Sequence, residues 1–219
     1  MQLLVLSDIH GAAHKVKRIL ANRHTADLAI IAGDLTHLGG AKQAEEIITP
    51  LLESGLRLLA VPGNMDTREV LDYLQEKKIS IHGRGTVIDK VGFFGLGGGN
   101  YSPFRAPFEQ SEQEIEELLN KGFMAVQGSK PIVLISHVPP FATLLDRTFA
   151  GVHCGSQAVK DFLLAKAPEL CICGHIHESA NQELVGKTIS VNVGAVKNDN
   201  YCLIELLHDK INISRRTIL

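Results

Sequence analysis

The chain has no surplus of basic charge. Its 22 Lys and Arg are matched by 24 Asp and Glu, for a formal net charge of −2. The basic residues are scattered apart from short groups such as Lys15, Lys17 and Arg18, and Arg215 with Arg216. Sequence-independent capture of nucleic acid needs a basic face, so this composition argues against nucleic acid as the main partner. It also means that a phosphate ligand would have to find positive charge elsewhere. No apolar run approaches the ~20 residues that span a bilayer, which argues against a membrane partner. The start, MQLLVLSDIHG, has no basic stretch ahead of its short apolar run and meets an acid at once, unlike a secretion leader. The expectation is a cytoplasmic protein.

Cysteine is also sparse, with four residues. A chain of this size has no need of disulfide staples, and Cys171 and Cys173, flanking Ile172, read as small core residues of a buried strand. No linker, repeat or low-complexity segment interrupts the sequence. With 45% hydrophobic and 21% charged residues, the composition is that of an ordered chain, read as a single domain over residues 1–219.

Within that domain, short apolar runs alternate with amphipathic stretches: LLVLS then AAHKVKRILAN, LAIIAG then AKQAEEIITPLLES, LRLLAVPGN then TREVLDYLQE. This is the rhythm of βαβ units and a largely parallel sheet. The runs Leu3 to Leu6, Leu28 to Ala32 and Leu56 to Val61 lack polar alternation, as strands covered on both faces do. A turn near Asp89 and Lys90 joins two further strands, and a helix is expected from Ser111 to Asn120. The α/β rhythm then returns through PIVLISH, SQAVKDFLLAKA and ELCICGH. The tail reads as hairpins with Gly186 and Asp209 in the turns. The fold class expected is α/β, two mixed β-sheets packed face to face with helices outside.

Five strand-like runs end in polar clusters: SDIHG, AGDLTH, PGNMD, SHVPP and CGHIHE. The carboxyl ends of strands in α/β sheets line the ligand crevice, so these loops should converge. They carry Asp8, His10, Asp34, Asn64, His137, His175 and His177. Asp8 and His10, like His175 and His177, are two apart, and an extended segment would point each pair to one side. Gly11, Gly33, Gly63 and Gly174 permit sharp turns or close approach beside these residues. Imidazoles, carboxylates and an amide oxygen suit zinc, iron, manganese or nickel, and no cysteine joins them to close a structural zinc site. Seven ligands are too many for one tetrahedral ion and suit two ions that share a carboxylate. Two such ions clamp the attacking and leaving oxygens of a phosphoryl displacement and acidify bound water, which would supply the missing positive charge.

The ordered set Asp8-Ile9-His10, Gly33-Asp34, Gly63-Asn64, His137 and Gly174-His175-Ile176-His177 resembles the calcineurin-like metallophosphoesterase family. SHVPPFATLLD, CGHIHES and ISVNVGA are similar to its small single-domain prokaryotic members related to cyclic-nucleotide phosphodiesterases. The resemblance implies a four-layer αββα sandwich and two divalent transition-metal ions. One would be held by Asp8, His10, Asp34 and His177, the other by Asp34, Asn64, His137 and His175. A metal-bridging hydroxide would be the nucleophile, and Asn64 would also hold substrate oxygens. A small phosphate ester, with a diester favoured, is the implied substrate. Repair nucleases and the retromer sorting subunit, a scaffold, also resemble this family. A nuclease would need capping or DNA-binding segments that 219 residues barely accommodate, and a scaffold has no use for all seven ligands.

One position departs from the family pattern. Where many members carry a histidine after Gly-Asn, this chain has Met65, which cannot protonate a leaving group. His37, three residues after Asp34, is read either, in preference, as an exposed or structural loop histidine or as the substitute proton donor. His153 is read either as a neighbour of the cleft or as a structural loop residue. His14, His24, His82 and His208 are assigned to helix or surface stretches without a role. Asp66 is read either as a hydrogen-bond partner behind a ligand or, in slight preference, as a cap of the helix starting near Thr67. Gly95 to Gly99 lacks the last glycine of a dinucleotide fingerprint, and Gly186-Lys187-Thr188 lacks the glycine that opens a phosphate loop. The glycine-rich stretch instead suits close approach of backbone to the cleft.

Overall fold

Three apolar runs, none with an alternating polar face, form adjacent parallel strands: β1 (Gln2–Leu6), β2 (Leu28–Ala32) and β3 (Arg57–Val61). The computed structural model describes residues 1–22, 25–208 and 210–218; His24 and Asp209 lie outside the described residues. The intervening amphipathic stretches are helices α1 (Ala13–Ala21), α2 (Ala41–Glu53) and α3 (Arg68–Glu76). Alternate strand residues face opposite ways. Leu4, Leu6, Ala29 and Ile31 meet Val16, Ile47 and Val70 of the helices. Leu3, Val5, Leu28 and Ile30 face inward.

The next pair, β4 (Gly85–Ile88) and β5 (Val91–Leu96), is the expected antiparallel hairpin. Its turn residues Asp89 and Lys90 both have positive φ, 49° and 72°, the twist that suits a two-residue hairpin loop. A two-residue parallel pair, β6 (Gly99–Asn100) with β7 (Glu109–Gln110), follows. Helix α4 runs over Glu112–Met124, four residues beyond the expected end, and is opened by a capping box between Ser111 and Glu114. Then come β8 (Ile132–Ser136), α5 (Gln157–Lys166) and β9 (Leu170–Cys173). Cys171 and Cys173 are fully buried in β9, as expected, and burial pushes the Cys171 thiol up to about 12.

The tail strands are β10 (Asn181–Val185), β11 (Thr188–Asn192), β12 (Asn200–Leu206) and β13 (Ile211–Thr217). They divide between the two sheets. One sheet has the order β13-β12-β1-β2-β3, the other β10-β11-β9-β8-β5-β4. Strand β11 lies parallel to β9 although it follows β10 through a hairpin turned at Gly186.

The two sheets share one apolar layer, where Leu3, Val5, Ile30 and Val61 meet Phe93, Val133, Ile135 and Ile172. Helices α4 and α5 cover the outer face of the second sheet through Ile115, Leu119, Phe162 and Leu163. The architecture is therefore the αββα sandwich expected. In this packing the carboxyl ends of β1, β2, β3, β8 and β9 come to one edge. Phe93 is completely buried between the sheets. Phe93→Ala is expected to cost ~3–5 kcal/mol in chemical denaturation, and a loss below about 1 kcal/mol would show that the inter-sheet layer is not tightly packed there.

Candidate metal centre

The strand ends are tied to one another before any side chain is considered. Asp8 N–H donates to the Gly33 carbonyl at 3.0 Å, and His10 N–H to the Asp34 carbonyl at 3.0 Å. The Gly174 N–H reaches the His137 carbonyl at 3.1 Å, and Lys197 N–H the Asp8 carbonyl at 3.2 Å. Neighbouring loops thus prolong the sheet ladders past the strands.

The backbone at these residues differs from the extended form expected. Asp8 (φ 52°), His10 (47°), Asp34 (50°) and His175 (70°) are all left-handed, and His177 opens a 3₁₀ turn over His177–Ser179. The side chains converge through tight left-handed turns instead of through a strand pleat. Such conformations disfavour L residues and persist only where surrounding bonds hold them. Three glycines make room for this: a Cβ on Gly33 would overlap the His137 ring, one on Gly63 the Asp34 carboxylate, and one on Gly174 Ser7 Oγ and the Asp8 carboxylate.

All seven residues picked out in the sequence come together. One donor atom from each of Asp8, His10 and His177 lies within 4.8 Å of the others, and the same holds for Asp8, Asp34 and His137. Asp34 Oδ2 stands 3.6 Å from His10 Nε2 and 3.5 Å from His137 Nε2. Asn64 Oδ1 is 3.0 Å from both His137 Nε2 and His175 Nδ1.

Three of the groups, His137, Asp8 and Asp34, are turned inward by bonds on their other side. His137 Nδ1 donates to the Ala32 carbonyl at 2.8 Å, leaving Nε2 for the centre. Asp8 Oδ2 accepts from Ser7 Oγ (2.7 Å) and His175 N–H (3.0 Å), leaving Oδ1 facing His177 Nε2 at 3.1 Å. Asp34 Oδ1 accepts the Met65 N–H at 2.8 Å, leaving Oδ2. The inner face is crowded with lone pairs: His10 Nε2 and His177 Nε2 are 3.2 Å apart. Neutral imidazole nitrogens, carboxylate oxygens and an amide oxygen at such separations need a cation or shared protons between them. A pair of divalent ions fits this donor set.

The charges of the metal-free site follow the same geometry. Burial opposes a proton on His137, yet the Asp34 carboxylate overrides it and pushes the pKa up to about 9. Burial also opposes ionisation of Asp8, but its hydrogen bond with His177 and the charges of His137 and His177 hold it far below the usual carboxylate range. Burial, then the charge of His137, brings His175 down to about 4. The proton held on His137 occupies the place of a cation.

Asp66 is not a helix cap. Helix α3 is preceded by Thr67, which makes no side-chain cap bond. The fully buried Asp66 carboxylate instead accepts from Leu35 N–H (3.1 Å), Thr36 N–H (2.8 Å), Thr36 Oγ1 (2.8 Å) and Gly63 N–H (2.8 Å). It locks the Asp34 and Asn64 loops together. Burial and then the Asp34 charge raise its pKa to about 6. His82 is not a surface residue either. Its Nδ1 accepts the Gly97 N–H at 2.9 Å and its ring meets Phe108 edge-on, so it anchors the glycine-rich stretch whose Gly99 packs against Asn64. His37 is exposed and meets the His10 ring edge-on at 5.5 Å.

Beside Asn64 and His175 opens a cleft of about 720 Å³. Met65, Arg105 and His153 line it, together with the largely exposed Tyr101 and Phe104. No local motif marked Asp146, which the sequence reading left out; it is buried behind His153.

An αββα sandwich that gathers carboxylates, imidazoles and an amide at its parallel strand ends defines a metallophosphoesterase architecture. The sequence pattern of the calcineurin-like phosphoesterase family matches residues 1–179, and the chain belongs to that family. Uncharacterized protein MJ1162 of Methanocaldococcus jannaschii is 35% identical over 196 residues, 88% of this chain and 87% of that protein. Among solved structures, TT1561 of Thermus thermophilus is similar with a TM-score of 0.77 and 19% identity, covering 97% of each chain. A dimetal phosphatase from Danio rerio has a TM-score of 0.69 and 12% identity, covering 100% of this chain and 96% of that one. At these identities the two structures show a shared fold. The family is one of hydrolases that bind a dinuclear metal centre.

Two measurements probe the supports of the site. Asp66→Ala strands buried N–H groups and is expected to lower stability by at least ~1–3 kcal/mol, read by urea denaturation; an unchanged midpoint would refute the locking role. Burial lowers the His82 pKa from 6.5 to about 4. Between those pH values the unfolded chain binds more protons than the folded one, so stability falls as pH falls from 6.5 toward 4. His82→Asn, which keeps an acceptor for Gly97, should show a shallower decline of melting temperature over that window.

Proposed function

We propose that residues 1–219 form a single phosphoesterase domain that hydrolyses small phosphate esters, diesters in preference to monoesters, using two divalent transition-metal ions. Asp8, His10, Asp34 and His177 would hold one ion, and Asp34, Asn64, His137 and His175 the other. The observation that carries this reading is the position of Asp34 Oδ2, between His10 Nε2 and His137 Nε2 at 3.6 and 3.5 Å. A carboxylate oxygen so placed suits a bridge.

Bound ions of this kind neutralise the phosphoryl oxygens and lower the pKa of water toward ~7. The protein's own residues do the rest. Ser7, Ala32 and the Met65 backbone fix which atoms face the centre, and Asn64 adds a polar contact at the mouth of the cleft. Two features support a diester: Met65 offers no proton to a poor leaving group, and the cleft continues from Asn64 and His175 past apolar walls that suit a second ester group. Manganese, nickel, zinc and iron all suit the donor set. The four cysteines are unpaired, in keeping with a reducing cytoplasm. Among the described residues no helix is long and apolar enough to cross a membrane.

Metal-stripped protein reloaded with each of these ions should hydrolyse bis(4-nitrophenyl) phosphate faster than 4-nitrophenyl phosphate, with cyclic nucleotides assayed alongside. Asp34→Asn is expected to abolish turnover while leaving the protein folded; turnover by the stripped enzyme, or by this variant, would sink the proposal. His37→Ala tests the donor suggested by sequence, since slower turnover of alkyl esters alone supports it and unchanged turnover removes it. Adding metal at 100 times its Kd should raise stability by ~2.7 kcal/mol, seen as a higher melting temperature.

A further inference from the structure

The leaving group in this site needs a proton that Met65 cannot give, and the cleft holds a group arranged to give one. Several ionisable side chains line the cleft: Tyr101, Arg105, Glu109, His153, Cys154 and His175. Arginine stays protonated, and glutamate is ordinarily deprotonated at neutral pH. His175 belongs to the candidate metal set, and burial pushes the Cys154 thiol upward. His153 is the imidazole on this wall outside the metal set, and imidazole carries a transferable proton near neutrality.

Its surroundings are built. His153 Nδ1 lies 2.7 Å from Asp146 Oδ1. Asp146 is completely buried, and its carboxylate also accepts from Ala142 N–H (3.0 Å), Thr143 N–H (2.9 Å) and Gly155 N–H (2.9 Å). Although burial opposes ionisation, the Thr143 N–H and the bond with His153 outweigh it and keep the carboxyl below its ordinary pKa. An ionised carboxylate only accepts, so His153 Nδ1 donates to it, which fixes the ring and leaves Nε2 as the exchangeable position. The ring remains about one-third exposed to the cleft, with a side-chain accessibility of 34%. His37, in contrast, has its ring contact with His10 and no carboxylate partner among the described residues.

We propose that His153, oriented by buried Asp146, is the proton donor to the departing ester oxygen. This rests on the phosphoesterase reading above and deepens it, because such a donor extends the substrate range from activated aryl esters to alkyl esters. Water oxygen bonds to phosphorus and loses one proton to solvent. The bond from phosphorus to the ester oxygen breaks and its electron pair stays on that oxygen; the Nε2 proton of the doubly protonated His153, whose Nδ1–H stays bonded to Asp146, joins it to give the neutral alcohol and leave a neutral imidazole. The imidazole then recovers a proton from solvent.

The test uses manganese-loaded full-length protein and phosphodiesters that share one ester group while the other runs from 4-nitrophenolate to an alkoxide. In His153→Gln the loss of kcat should be smallest for 4-nitrophenolate and rise to ~10²–10⁴-fold for the alkoxide, the range of general acid catalysis. Added imidazole should restore alkoxide turnover in His153→Ala. A loss equal across the series, or no loss, overturns the assignment, and thermal melting of each variant separates chemistry from misfolding. Independently of activity, nitrogen-15 spectra of the metal-free protein should show His153 protonated at Nδ1, and Asp146→Asn should abolish that preference. A His153 protonated only at Nε2 overturns the orienting role. Wild-type protein inactive toward every ester would overturn the hydrolase reading and the donor with it, whereas a flat His153→Gln series in an active enzyme overturns the donor alone.

Discussion

A concentration of lone pairs at one edge of the sandwich is the constraint around which the rest of the molecule is arranged. Two carboxylates, four imidazoles and an amide oxygen face one another at separations as short as 3.0 Å. Nothing apolar holds such a set together, and without positive charge its members repel. The chain maintains it in part by giving three of its residues bonds directed outward. Ala32 holds His137, Ser7 and the His175 N–H hold Asp8, and the Met65 N–H holds Asp34. Left-handed backbone at Asp8, His10, Asp34 and His175 is the local cost of that convergence.

That cost is sustained by what lies beneath. The strands that deliver these loops are buried on both faces, between helices and the shared inter-sheet layer. Backbone bonds such as Asp8 to Gly33 carry the ladder on from those strands into the loops. Asp66 and His82 extend the same logic a step outward. One ties the Asp34 loop to the Asn64 loop, and the other fixes the glycine-rich stretch against which Asn64 packs.

The near-neutral charge of the chain is consistent with this organisation. A phosphate ligand here would be met by cations that the cluster is built to collect, so no basic face is required. The side chain at position 65 can change without loss of the centre, because Met65 supports Asp34 through its backbone N–H. On the proposed function a proton for the leaving oxygen would then have to come from elsewhere, the role proposed above for the Asp146–His153 pair on the cleft wall.

The five polar strand ends, the βαβ rhythm and the hairpin at Asp89 and Lys90 were legible in the sequence because each is local: apolar runs, turn residues and their spacing lie within a few positions of one another. The seven convergent residues could be named for the same reason, since each stands at the end of such a run. The roles of Asp66 and His82 could not, because their partners lie up to 31 residues away and depend on which loops meet. A local cap signal at Asp66 lost to four buried donors, three of them from the distant Asp34 loop. The division of the tail strands between both sheets and the left-handed turns at the site were likewise settled by tertiary packing. Periodicity specifies that a strand exists and which faces it buries, whereas the sheet it joins depends on long-range pairing, which no short stretch of sequence encodes.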